Sequence, residues 1–63
     1  MTRAERIAAG HALLMAAIPA NYGADYVRAL AAQTACCSAA FTRYLRGDEL
    51  DVKGALAEAG VTQ

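Results

Sequence analysis

An all-α fold is what this sequence predicts, and three observations predict it. Alanine, the strongest helix former, supplies 17 of the 63 residues. Proline, which breaks helices, occurs once. Apolar side chains in the middle of the chain recur at spacings of three and four, the period of a helix face and not of a strand. Together they imply a helical hairpin with a short third helix, in one domain spanning residues 1–63, two copies of which dimerise into a four-helix-bundle-like assembly.

The first helix is expected over about residues 3–17. Thr2 and Glu5 form a T-x-x-E capping box at its start. Ile7, His11, Leu14 and Ile18 fall on one face, with Met15 at its edge, while Leu13 lies well off it. Pro19 ends the helix, because the residue before a proline is pushed out of the α region. The two arginines and the apolar run before Ala20 loosely mimic a secretory signal, but Gly10, His11 and Pro19 interrupt that run. Pro19, Asn21 and Gly23 supply turn chemistry, and Asn21 is the expected N-cap of the next helix, with Asp25 in its first turn.

The second helix is expected to run unbroken over about residues 23–46, roughly 35 Å at 1.5 Å per residue. Val27, Leu30, Thr34, Cys37, Phe41 and Tyr44 make a heptad a/d pattern, which Tyr26 and Leu45 widen. Ala29, Ala32, Cys36, Ala39 and Ala40 occupy the opposite face, either as alanine-rich surface or as a second packing face. Arg43 and Arg46 complement the negative end of the helix dipole, and Gly47 follows as the terminating residue.

The third helix is expected over about residues 51–59. Asp51 is its N-cap, Leu50 a staple residue, and Gly60 its stop. Val52, Ala55, Leu56 and Ala59 form its short apolar face, and Gly54 weakens it by about 1 kcal/mol relative to alanine.

Size and charge narrow the function. A chain of this length buries only about 60% of its unfolded surface, and a core this small supplies roughly 3–5 kcal/mol. Small chains commonly recruit a partner, and the wide stripe of the second helix supplies a reason for one. The expected interface is therefore Tyr26, Val27, Leu30, Thr34, Cys37, Phe41 and Tyr44. The formal net charge is zero, whereas nucleic-acid binding usually draws its affinity from a basic excess. The apolar fraction is 57%, yet alanine accounts for nearly half of it. No uncharged run is both long and bulky enough to span a membrane.

A few residues carry potential chemistry. His11 is the sole histidine; with Cys37 it could begin a metal site, but a core or boundary histidine is the simpler reading. Cys36 and Cys37 are adjacent, about 100° apart on a regular helix, which points to free thiols and a reducing, cytoplasmic setting. Arg28, Arg43 and Arg46 gather on one flank of an unbroken helix; a phosphate stripe is conceivable, but pairing of Arg28 with Asp25 and dipole complementation account for them. No nucleophile–base set, carboxylate pair or phosphate loop is present, so no enzyme activity and no cofactor are expected. The expectation is a non-enzymatic interaction module, acting as a homodimer on a larger protein as adaptor, regulator or inhibitor. The alternatives are a DNA-associated regulator using the arginine flank, and a metal or redox sensor using His11 and the cysteines.

Overall fold

The computed structural model describes residues 1–61, and among these it is all-helical, with four α-helices and no strand. Helix α1 spans Arg3–Ala17, α2 Ala24–Cys37, α3 Ala39–Leu45 and α4 Val52–Glu58, with one 3₁₀ turn at Ala20–Tyr22.

Helix α1 begins where the sequence placed it. The Thr2 hydroxyl accepts from the Glu5 amide (3.1 Å), and the Glu5 carboxylate accepts from the Thr2 amide (2.8 Å). This uses both orphan groups of a capping box. The following turn differs from expectation. Pro19 seeds the 3₁₀ turn, with the Tyr22 amide donating to the Pro19 carbonyl and Gly23 to that of Ala20. Asn21 is consumed inside this turn, so Gly23, at φ 92°, takes the N-cap position and no side chain caps α2.

The larger correction is at Ser38. The expected helix over 23–46 is two helices, because Ser38 leaves the α region at φ −87°, ψ 142°. Every amide in the first turn of α3 has a partner. The Phe41 amide donates to Ser38 Oγ (3.0 Å) and the Thr42 amide to the Ser38 carbonyl (3.2 Å). The Ala39 and Ala40 amides both donate to the Glu58 carboxylate, at 2.8 and 3.1 Å. A mid-chain break normally exposes orphan donors; here serine and a carboxylate from α4 satisfy them all. The molecule's longest dimension is 31 Å, less than the rod expected of the second helix alone.

The bend lets the chain cover its own stripe. Leu30, Phe41 and Tyr44 join Leu14, Ile18, Leu56 and Val61 in one buried cluster. Thr34 is buried as well, its hydroxyl donating to the Leu30 carbonyl (2.8 Å). Gly10 makes this packing possible. A Cβ there would lie 2.6 Å from Tyr44 Cε2 and 2.8 Å from Phe41 Cε2, so the two rings rest directly on the α1 backbone. Helices α3 and α4 end as the sequence implied, at Gly47 and Gly60, both with positive φ. Asp51 caps α4, accepting from the Gly54 amide (3.0 Å).

Candidate interaction surface

The expected seam divides into three groups. Leu30, Thr34, Phe41 and Tyr44 are buried against the chain's own helices, so in this fold they offer nothing to a partner. Val27 is half-buried, while Tyr26 and Cys37 are exposed. Cys37 shares the expected seam, but α2 ends at this residue and its side chain is at the surface. Ile7 is also more exposed than its place on the apolar face of α1 implied. Of the alanine-rich back face, Ala29, Ala32 and Cys36 on α2 and Ala39 on α3 are exposed in the single chain, and only Ala40 is buried.

The arginine flank loses its geometry to the same bend. Arg28 lies on α2, Arg43 and Arg46 on or beyond α3. Arg28 pairs with Asp25 at i,i+3. Arg43 lies close enough to Glu58 to help hold that carboxyl below its ordinary pKa, although the hydrogen bonds from the Ala39 and Ala40 amides are the larger cause. His11 is half-buried on α1. Among the described residues no group of three or more His, Cys, Asp or Glu is placed to hold a metal ion. Among them, too, no helix is long and apolar enough to cross a membrane.

What the surface does present lies around the turn from α1 to α2. An open groove of about 450 Å³ is lined mainly by apolar side chains, including Met15, Ile18, Ala24 and Val27, with Arg28 at its edge. Outside the groove lining, Tyr22 in the 3₁₀ turn and Tyr26 on α2 form an edge-to-face pair, ring centroids 5.3 Å apart. They are 45% and 54% exposed. A second open region, of about 510 Å³, is bordered by Leu13, Leu50, Asp48 and Glu49; its lining is more polar, and the Arg6–Tyr44 contact closes one side.

Sequence reading found Tyr26, Val27 and Met15 but tied the first two to a dimer seam and Met15 to the core edge. It missed Arg6, Gly10, Ser38 and Glu58. Of these only Ser38 carried a local signal, as a cap-forming residue after two cysteines of modest helix propensity. In comparisons with family models, with curated proteins and with solved structures, nothing matches this chain.

Proposed function

We propose that this chain is a non-enzymatic interaction module that docks on a larger protein, as adaptor, regulator or inhibitor, through the α1–α2 end. The observation that carries this reading is the open apolar groove of Met15, Ile18 and Val27, with the exposed Tyr22–Tyr26 pair at the same end of the chain but outside the groove lining. Tyrosine is enriched among residues that dominate binding energy, because it offers a large rigid apolar surface and one polar tip. An apolar side chain entering such a groove gains roughly 25 cal/mol for each Å² removed from water.

Self-association belongs to the same surface in this proposal. The a/d seam is occupied within the chain, so a homodimer contact falls on the groove and the tyrosine pair. Sedimentation at micromolar concentration distinguishes a 6.6 kDa chain from its dimer.

The docking test places a photo-crosslinking phenylalanine analogue at Tyr26 and, as control, at Lys53 on α4. The Tyr26 probe is expected to capture one discrete protein in the native host, and Met15→Asp is expected to abolish the capture. Equal crosslinking from both positions, or none from Tyr26, would defeat the reading. The arginine-based DNA alternative gains no support, since Arg28 is engaged and the three arginines no longer share a helix.

A further inference from the structure

The α2–α3 joint carries a second feature, independent of the docking reading. One residue, Ser38, separates the two helices. Its φ of −87° already lies in the α range, so the bend resides in ψ, at 142°. Turning that one angle joins residues 24–45 into a single helix. The apolar spacing suits such a helix. Val27, Leu30, Thr34, Cys37, Phe41 and Tyr44 keep their alternation of three and four across Ser38 without a skip.

Backbone hydrogen bonding changes little between the two forms. The Ser38 amide donates to the Thr34 carbonyl and the Thr42 amide to the Ser38 carbonyl, and a continuous helix makes both bonds as well. Only the Ala39, Ala40 and Phe41 amides change acceptor. They leave the Glu58 carboxylate and Ser38 Oγ for the carbonyls of Ala35, Cys36 and Cys37, four residues back. Each of the three amides thus has an acceptor in either form, and the exposed Glu58 side chain returns to water.

A straight helix cannot keep the packing of one half of the chain on the other. In the bent chain α3 and α4 lie against α1, and α4 against α2. The Phe41 and Tyr44 rings rest on the Gly10 backbone, and Arg6 and Tyr44 exchange hydrogen bonds. Straightening breaks these contacts within one chain, but a second straightened copy offers the same surfaces in return. The cost is then mainly the entropy of association, which concentration offsets.

We propose that this chain forms a domain-swapped homodimer through Ser38, in which α3 and α4 of each copy pack on α1 and α2 of the other. The caps from Ser38 and Glu58 favour the closed single chain, and high concentration favours the exchanged pair. The groove and the tyrosine pair lie within α1, α2 and the turn between them, so the exchange leaves the docking surface in place.

The test unfolds an equal mixture of isotope-labelled and unlabelled chains in guanidinium, refolds them together at millimolar concentration, and isolates the dimer by size exclusion. Isotope-filtered NOEs are expected from the Gly10 α-protons of labelled chains to the Phe41 and Tyr44 rings of unlabelled ones. Ser38→Ala removes a cap of the bent form at each of two joints, and is expected to raise the dimerisation constant by about 10-fold or more. The native-chain NOEs decide without this variant if it does not fold. Absence of a dimer after refolding would overturn the proposal. So would a dimer whose Gly10–Tyr44 contacts stay within each chain, as association through the groove gives, or a constant that Ser38→Ala leaves unchanged.

Discussion

Arg6 and Tyr44 hold each other through three contacts. Arg6 Nε donates to the Tyr44 carbonyl (2.8 Å), the Tyr44 hydroxyl donates to the Arg6 carbonyl (2.7 Å), and the guanidinium stands 4.2 Å from the centre of the tyrosine ring. Arg6 Nη2 also donates to the Asp48 carbonyl (2.9 Å). The start of α1 is thereby fastened to the end of α3, where helix carbonyls and the dipole attract a cation. Removing the side chain in Arg6→Ala is expected to cost about 1–2 kcal/mol, the lower part of the range for charge-assisted hydrogen bonds, since the site is only half-buried. Arg6→Lys is expected to recover less than half, because an ammonium lacks the planar fork that reaches two carbonyls. Urea midpoints measure both; an unchanged midpoint for Arg6→Ala would refute the clasp.

Gly10 sets two effects against each other. Gly10→Ala gains about 1 kcal/mol in helix propensity but drives a methyl into the Phe41 and Tyr44 rings. Overpacking costs about 1–3 kcal/mol, and Phe41 is only 1% exposed, so it has little room to yield. The expected net is a loss of about 1 kcal/mol, seen as a fall of several degrees in Tm for a chain of this size. A higher Tm would show that the rings move aside freely.

The acid limb of stability has a named source in Glu58. Hydrogen bonds from the Ala39 and Ala40 amides hold its carboxyl below the ordinary glutamate value, which is about 4.3. A depressed folded pKa contributes stability that is complete above the unfolded value and is lost as pH falls through the folded one. Stability is therefore expected to drop below about pH 4. Glu5, held down by its bonds with Thr2, adds a component of the same sign. Glu58→Gln is expected to lower stability at pH 7 and to flatten this acid slope. Denaturation at pH 7 and pH 3 checks it, and a native-like slope in the variant would show that other groups dominate.

Ser38 and Glu58 share the capping of α3, and their roles separate by amide. Ser38→Ala is expected to cost about 1 kcal/mol, with hydrogen-exchange protection lost first at Phe41. Glu58→Ala is expected to release Ala39 and Ala40 instead. Uniform loss across all three amides in either variant would contradict the division.

Much of the fold was legible because its signals are local. The Thr2–Glu5 box, the Asp51 cap and the Gly47 and Gly60 ends involve groups within a few residues of each other. The stripe through Leu30, Thr34, Phe41 and Tyr44 was legible as an apolar face, but it was assigned to a dimer interface, whereas the chain buries it against its own helices. The amides freed at Ser38 are satisfied partly by a carboxylate nearly twenty residues away in sequence, and periodicity carries no trace of such a partner. Arg6 was illegible for the same reason, its acceptors lying 38 and 42 residues on. The candidate surface was half visible: Tyr26 and Val27 stood out, but their role changed once the rest of the seam turned inward.

The carboxylate at the joint gives the C-terminal helix a job beyond filling space. The Glu58 carboxylate of α4 accepts from the Ala39 and Ala40 amides that the break at Ser38 frees. A chain cut before Val52 loses that acceptor together with Leu56 and Val61 from the core. Its central segment is then expected to straighten and present Leu30, Phe41 and Tyr44 in a single line to water, a surface that favours pairing. On that expectation, the last helix covers within one chain what a second molecule would otherwise cover.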